Sequence, residues 1–255
     1  MQKSSFLTSN YAIFIFMENY YEINYEKNME MLEQAVKYCE EELEHNDLVS
    51  ELSKDDDLKK QLCLIELSKV NSQKEADILV NNLTGMSGPI RETASFKILE
   101  LIKKEEYNKY FQKRDILDTF VKAITDINPS VSRNAVEIIV YVEDSKYLYD
   151  SIIREIQITL SQMDDIKQTR SYVANKKNFN LYWNLEALIA ISSKVVADDD
   201  LLEILSETAH SNDYTIREKT AKATMEFIKT NKELISVMEI LANDENVYVR
   251  KYLMS

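Results

Sequence analysis

Apolar residues recur three and four positions apart along most of this chain, a spacing typical of amphipathic α-helices. The first apolar stripe predicts a helix and consists of Met31, Leu32, Ala35, Val36, Cys39 and Leu43. A second helix is predicted after Asp55, Asp56 and Asp57, because carboxylates favour the positive end of a helix. Another acidic triplet, at 198–200, precedes one of the later stripes, which cover residues 76–83, 116–124, 148–163, 201–209 and 234–241.

Glycine and proline are nearly absent, since the 255 residues include only two of each. Sheet proteins need these residues at hairpins and bulges, so their scarcity, with 45% apolar residues, predicts an all-α fold. Gly85 and Gly88 alone cannot form the glycine-rich loops that bind phosphate groups. His45 and His210 alone cannot form the H-E-x-x-H metalloprotease signature.

A short turn followed by a helix recurs along the chain. In each copy the helix opens with a β-branched residue, or once with Trp in its place, and the next residue is often Arg. These opening residues, called the anchors, are Ile90, Val131, Trp183, Ile216 and Val249, separated by 41, 52, 33 and 33 residues. Because each anchor helix follows another apolar-striped helix, the repeated unit is helix, turn, helix.

The anchors predict which positions are buried. The residues four and eight positions past an anchor are small or apolar, as expected for closely crossing helices, and are Ala94, Ala135, Ala187, Thr220, Ile98, Ile139, Ile191 and Thr224. The core stripe continues eleven positions past the anchor, with Leu101, Val142, Lys194 and Phe227. Positions three and ten past the anchor are expected to face water or a partner, and are Thr93, Asn134, Glu186, Lys219, Glu100, Tyr141, Ser193 and Glu226.

The recurring turns resemble those of HEAT-repeat proteins, an armadillo-like family. The residues that carry the resemblance are Asp126, Asn128, Pro129 and Val131, then Asp213, Ile216 and Arg217, then Asp244, Val249 and Arg250. The resemblance implies an α-solenoid of about five helical pairs over 74–255, after an irregular helical cap at 1–73. Ser132 and Asn184 stand where other copies have Arg, so an uninterrupted series of Arg and Asp pairs is not expected.

The longest interval between anchors contains an insertion at 164–180. It carries Lys167, Arg170, Lys176 and Lys177 together with Tyr172 and Phe179. Loops of this length in compact domains tend to be functional or disordered. The segment is therefore interpreted either as an ordinary surface excursion, as a contact for a protein partner, or as a contact for an anion or nucleic acid.

Charge and cysteine content limit the partners and the compartment. The chain has 31 basic and 44 acidic residues, a net charge of -13, and so repels phosphate backbones, which argues against nucleic acid as a general partner. Cys39 and Cys63 form neither C-x-x-C nor a disulfide framework, which predicts a cytoplasmic protein. The apolar run 11–17 is too short to span a bilayer, so no membrane contact is expected; a degenerate signal peptide is the alternative interpretation.

No constellation in the sequence predicts catalysis, a metal or a cofactor. Cys39 and His45 are six residues apart on a predicted helix and point to different sides. His210 stands at a helix end, where a cation is favourable. Two enzyme-related alternatives share the architecture: the HEAT-like alkylpurine DNA glycosylases, for which Trp183 is the candidate groove aromatic, and the HEAT-like bilin lyases or assembly factors, suggested by the 33-residue intervals.

The resemblance implies a non-catalytic scaffold or adaptor that binds a protein along the concave face of its second helices. That face is expected to be acidic and tyrosine-bearing, and so to favour a basic or an amphipathic helical partner. The predicted contact residues are Glu100, Glu137, Tyr141, Glu186, Lys222 and Glu226, with Tyr172 and Lys176 from the insertion. If Val249 and Leu253 expose an apolar surface, self-association through the C-terminal repeat is implied.

Overall fold

The computed structural model describes residues 25–163 and 171–253. All regular elements within these two stretches are helices, which confirms the predicted all-α fold. The chain divides into two compact units, Met1–Phe111 and Gln112–Ser255. This division differs from the predicted boundary between residues 73 and 74, which stays a prediction about where the regular repeats begin.

Unit 1 contains the N-terminal helices. They are α1 (Tyr25–Cys39), α2 (His45–Glu51), α3 (Asp57–Glu66), α4 (Gln73–Asn81), α5 (Gly88–Ile102) and α6 (Glu105–Asn108), followed by the 3-10 turn Lys109–Phe111. Helix α3 packs against both α1 and α5, and α2 packs against α3 and α4. Ala35, Leu58 and Leu62 form a buried cluster where α1 meets α3. The sequence pattern did not predict the short helices α2 and α6.

Unit 2 is built from four helical pairs. Its helices are α7 (Arg114–Ile124), α8 (Pro129–Ile139), α9 (Ser145–Ser161), α10 (Ser171–Ile191), α11 (Asp199–Thr208), α12 (Tyr214–Phe227), α13 (Ile235–Ala242) and α14 (Val247–Arg250). The second helices contact one another in order, with α10 between α8 and α12, and α14 beside α12. The first helices do the same, with α9 between α7 and α11. Unit 2 therefore has one layer of first helices and one of second helices.

Both acidic triplets begin helices, as predicted. The carboxylate of Asp56 accepts a hydrogen bond from the backbone N–H of Lys59 at 3.0 Å at the start of α3. Asp198 accepts from the backbone N–H of Leu201 at 3.1 Å at the start of α11. Each carboxylate satisfies a backbone donor that has no partner within its helix.

The anchor spacing identified the core correctly at most positions. In unit 2, the residues four and eight positions past an anchor are at most 1% exposed: Ala135, Ala187, Thr220, Ile139, Ile191 and Thr224. In unit 1, Ala94 and Ile98 are fully buried. The small side chains at these positions let neighbouring helices approach closely, as ridges-into-grooves packing requires.

Two positions besides the anchor Trp183 differ from the predicted pattern. Lys194 was predicted in the core but is exposed, and its ammonium donates to the backbone carbonyls of Val140 and, at 3.2 Å, Val142. A cation there satisfies carbonyls at the end of α8. Asn134 was predicted to face outward but is 4% exposed, because α8 is covered by both α7 and α10.

One hydrogen-bond arrangement recurs in four of the turns. The side chain directly after the anchor reaches the backbone carbonyl six residues earlier. Arg91 donates to the carbonyl of Gly85 at 2.9 Å, Ser132 to Asp126 at 2.8 Å, and Arg217 to Ser211 at 2.8 Å. Arg250 likewise donates to the carbonyl of Asp244. Serine thus replaces arginine in the second copy while the turn stays closed.

The second part of the insertion is helical. Residues 164–170 lie outside the described residues, but α10 begins at Ser171, so residues 171–180 are helical. Trp183 is therefore in the middle of a helix and does not open one. Its side chain is partly exposed, whereas its place as an anchor had predicted burial. The anchor spacing failed here because the helix continues through the position where the other copies turn.

The condition stated for self-association is not met at Val249, which is fully buried, and Leu253 is partly buried. Self-association through the C-terminal repeat stays a prediction. In the described ranges 25–163 and 171–253, no helix combines the length and apolarity needed to cross a membrane.

Candidate partner-binding face

The second helices α10 and α12 of unit 2 run in the same direction. Asn178 Nδ2 donates to Asp213 Oδ2 at 2.9 Å, and further along both helices Lys219 Nζ donates to Glu186 Oε2 at 2.5 Å. The side of this layer that carries partly or fully exposed residues is called the second-helix face. It is formed by Glu137, Tyr141, Phe179, Tyr182, Trp183, Glu186, Lys219, Lys222 and Glu226.

Exposed glutamates occupy the last turn of two second helices. Glu137 lies in the last turn of α8 and Glu226 in that of α12, and neither turn contains Lys or Arg. Lys229 Nζ, the ammonium paired with Glu226, is 3.9 Å away on a side chain that is 75% exposed. Because the C-terminal end of a helix carries partial negative charge, each glutamate adds to a negative potential. At the end of α8, the Lys194 ammonium already binds the carbonyls of Val140 and Val142 and offsets part of this potential.

Glu186 occupies the centre of the face and is held by two lysines. Besides the hydrogen bond from Lys219, its carboxylate accepts one from Lys222 Nζ at 3.3 Å. The ammonium of Lys219 also lies over the ring of Tyr182, 4.5 Å from the ring centroid. The contacts join α10 to α12, and the side chains of Glu186 and Lys219 are only 24% and 14% exposed. Glu186 is thus a link between helices with its charge already balanced.

The proton affinities of this pair follow from its surroundings. Burial by itself raises the pKa of Glu186, but the hydrogen bond from Lys219 and the charge of Lys222 outweigh it and lower the pKa. Burial disfavours the charged form of Lys219, yet the hydrogen bond to Glu186 outweighs it and raises the pKa of Lys219. Both groups are therefore charged at neutral pH.

A similar link joins α12 to the C-terminal helix. Lys251 Nζ contacts Glu218 Oε1 at 2.9 Å and lies 5.2 Å and 4.7 Å from the ring centroids of Tyr248 and Tyr252. A lysine placed between a glutamate and tyrosine rings thus recurs along the second-helix layer of unit 2. Cation–π contacts of this kind add modestly to an ion pair at a partly exposed site.

The structure places the predicted contact residues in several locations. Glu100 belongs to unit 1, in the last turn of α5, and pairs with Lys97 at 2.8 Å and Lys104 at 3.1 Å. Lys176 is exposed on α10, and the side chain of Tyr172 lies outside the described residues. The second-helix face brings together the others, which are Glu137, Tyr141, Glu186, Lys222 and Glu226.

Sequence reasoning did not select Tyr182 or the pairing of Lys219 with Glu186. A usable signal was present, because Lys219 follows Glu186 by 33 residues, which is the interval between the anchors Trp183 and Ile216. Residues one repeat apart on adjacent parallel helices lie at the same level and can pair. The opposite charges at these two positions therefore predict the contact.

Other polar and reactive groups do not form a second site. His45 Nε2 contacts Glu75 Oε2 at 2.9 Å, linking α2 to α4. Cys63 is 2% exposed, and burial raises the pKa of its thiol to about 12, which makes it unreactive. Among residues whose placement is described, no cluster of three or more His, Cys, Asp or Glu is arranged to hold a metal. Unit 1 contains a cleft of about 430 Å³ lined partly by Leu52 and Met86.

Comparison with known proteins identifies the fold but no family. No protein-family model and no curated protein matches the chain. Among solved structures, an engineered protein is 16% identical with a TM-score of 0.51, over 84% of this chain and 96% of that one. A designed armadillo repeat protein in complex with the peptide (KR)4 is 15% identical with a TM-score of 0.50, over 83% of this chain and 97% of its own. At such identities the likeness concerns the fold, which is that of an all-α repeat solenoid.

Proposed function

We propose that this chain is a non-catalytic scaffold of the HEAT-repeat type that binds a Lys- and Arg-rich segment of a protein partner on its second-helix face. The observation that carries the proposal is the position of Glu137 and Glu226. Both are exposed in the last turn of a second helix, where the helix dipole is already negative. Such a position weakens the fold slightly and strengthens attraction for a cation.

The chemistry of the partner is inferred from charge and from a structural neighbour. The net charge of -13 attracts basic segments and speeds their encounter with the protein. The designed armadillo protein of similar fold is in complex with (KR)4, a peptide of alternating Lys and Arg. Tyr141 is 38% exposed four residues after Glu137 and offers a ring on which a guanidinium or an aliphatic stem packs.

Within the proposed face, the roles of the residues differ. Glu137, Tyr141 and Glu226 are the contact residues. Glu186 and Lys222 act as positioning residues, because their charges are already paired across α10 and α12. Glu100, in the last turn of α5 of unit 1, also pairs with two lysines, but its side chain is 50% exposed, and it serves as a separate acidic contact there. A cytoplasmic location fits the two free cysteines.

The test is a titration of the full chain with a fluorescently labelled (KR)4 peptide at low and moderate salt. We expect Glu137→Gln with Glu226→Gln to weaken binding about 5- to 30-fold, since each charge contributes roughly 0.5–1 kcal/mol. The matched control changes two exposed glutamates of the first-helix layer, Glu155→Gln with Glu203→Gln, to remove the same charge elsewhere. Equal losses for both double variants would mean that only net charge matters and would overturn the proposed face.

A further inference from the structure

The sequence around the start of α10 is a basic region on an acidic protein. Residues 166–185 include four basic residues, Lys167, Arg170, Lys176 and Lys177, and no Asp or Glu. The described part of this region is helical from Ser171. Its charge is thus opposite to that of the chain as a whole.

This part of α10 extends past its neighbour. The helix has 21 residues, whereas α8 has 11 and α12 has 14. Asn178 contacts Asp213, the residue that caps the start of α12, so the residues before Asn178 lie beyond the start of α12. We call residues 171–180 the α10 extension. Seven residues of helix correspond to about 10 Å.

The described side chains of the extension, from Asn175 to Asn180, are exposed or partly exposed, although the Oδ1 atom of Asn178 is buried. Among the residues of α10 whose side chains are described, the first buried one is Leu181. Short helical segments gain most of their stability from packing of an apolar face. A helical segment without such packing but with large side chains at its surface is suited to contact another molecule.

The lysines of the extension are not neutralised as the other lysines of this layer are. Lys176 is exposed, and Lys177 donates to the neutral amide of Gln162; within the described residues, neither contacts a carboxylate. By contrast, Lys219, Lys222 and Lys251 each pair with a glutamate. The extension therefore keeps positive charge available for an incoming anion.

Aromatic side chains continue the same side of the helix. Lys176, Phe179 and Trp183 follow one another at steps of three and four residues. Phe179 and Trp183 are partly exposed, with ring centroids 6.3 Å apart in an edge-to-face arrangement. This side of α10 thus offers the Lys176 ammonium beside a partly open aromatic pair, whereas Lys177, two positions before Phe179, lies about 200° around the helix from that ring.

We propose that the α10 extension docks an acidic segment of a protein partner. A carboxylate of that segment pairs with Lys176, an adjoining apolar residue packs on Phe179 and Trp183, and Lys177 adds positive charge from the neighbouring side of the helix. Nucleic acid fits less well, because its dense phosphate charge meets Asp213 near the extension and the net negative charge of the chain. This site goes beyond the proposed function: it takes the opposite charge and lies about 20 Å from the helix ends that carry Glu137 and Glu226.

The test measures binding to the full chain by fluorescence anisotropy at low salt. The probe is a labelled 12-residue peptide of Glu and Leu with one central Phe, compared with the same peptide carrying Gln for Glu and with a labelled 12-nucleotide oligothymidine. We expect K176E with K177E to weaken binding of the acidic peptide at least tenfold, and Phe179→Ala to weaken it severalfold. Charge reversal of the exposed Lys122 and Lys232 elsewhere in unit 2 is the matched control and should have little effect.

Three outcomes would overturn the proposal. The first is binding of the Gln peptide as tight as that of the Glu peptide, or no measurable binding of either. The second is an equal loss in the control variant. The third is oligothymidine binding that exceeds peptide binding and falls with K176E and K177E, which would assign the extension to nucleic acid. Far-ultraviolet circular dichroism checks that the variants stay folded. Binding of the (KR)4 peptide by the same variants reports separately on the proposed function.

Discussion

The turn before α12 and the middle of α10, around residues 178–184, occupy equivalent places in the repeat but satisfy their polar groups differently. Before α12, Arg217 donates to the carbonyl of Ser211 and forms a two-point ion pair with Asp244, at 2.6 Å and 3.1 Å. In α10, the equivalent residue is Asn184, which is 1% exposed and whose Oδ1 has no hydrogen-bond partner in the described structure. One copy closes a turn, and the other continues as helix.

This difference shows which part of the repeat is essential. Ala187 and Ile191 of α10 are as deeply buried as their equivalents in α12, so the core positions are retained in both. The bond that closes the turn is lost in α10, because the carbonyl six residues earlier belongs to the same helix. The consequence is an unsatisfied amide at Asn184 and a longer helix that carries Lys176 and Phe179 beyond the start of α12.

The largest expected effect is at the ion pair of the regular turn. Arg217→Ala removes a charged group that is 12% exposed and leaves Asp244, 7% exposed, without its main partner. We expect the free energy of unfolding to fall by about 2–3 kcal/mol. Urea unfolding measures it, with Arg154→Ala on the exposed side of α9 as the control. A loss no larger than that of the control would show that the ion pair is dispensable.

The same pair predicts a response to acid. The hydrogen bonds from Arg217 hold the pKa of Asp244 below its ordinary value, although burial opposes them. As the pH falls, the Asp244 carboxylate therefore takes up a proton in the unfolded chain before it does so in the folded one. The stabilisation that this carboxylate contributes is complete above about pH 4 and is lost as the pH falls below that. We expect the stability of Arg217→Ala to depend less on pH below about 4 than that of the wild-type chain. Parallel pH profiles of the two would contradict this.

A smaller effect, this time an increase in the free energy of unfolding, is expected for a substitution in α10. Asn184→Leu removes a buried amide oxygen without a partner and should raise the free energy of unfolding by about 1–2 kcal/mol. The matched change in α12 is Thr220→Val, because the Thr220 hydroxyl is fully buried and bonds to Thr208 and to the carbonyl of Ile216. That substitution should lower stability by about 1 kcal/mol. Loss of stability in both variants would mean that Asn184 is satisfied in solution.

The smallest effect concerns the glutamates at the ends of α8 and α12. Glu137→Gln and Glu226→Gln each remove a negative charge from the negative end of a helix and should raise the unfolding free energy by about 0.3–0.5 kcal/mol. Thermal unfolding at low salt measures the gain, which should shrink as salt is added. Reduced stability in either variant would remove the argument that these residues are kept for binding.

Prediction from the sequence succeeded where short-range patterns control the structure. The acidic triplets predicted helix starts at Asp56 and Asp198, and the anchor spacing predicted the burial of Ala135 and Ile139, because caps and helical periodicity depend on neighbouring residues. It failed at Trp183, which was assigned to a helix start and to the core. No local residue there marks the difference between a turn and a continuing helix.

The candidate site was predicted only in part. Glu137, Tyr141 and Glu226 could be assigned to the outward side from the repeat offsets alone. The 33-residue spacing of Glu186 and Lys219 signalled one ion pair, but the second, with Lys222, depends on how far apart α10 and α12 lie and on side-chain reach. That contact changed Glu186 from an expected binding residue into a link between helices.

The amino-acid sequence by itself determined that the chain is helical, where most helices begin, and which stripe of each helix is buried. These features follow from composition, capping and a period of 3.6 residues, all of which act along one chain segment. Only the tertiary structure decided that α10 runs past α12, that Arg217 pairs with Asp244, and that Lys219 and Lys222 both hold Glu186. Those outcomes depend on the packing of segments that are distant in sequence.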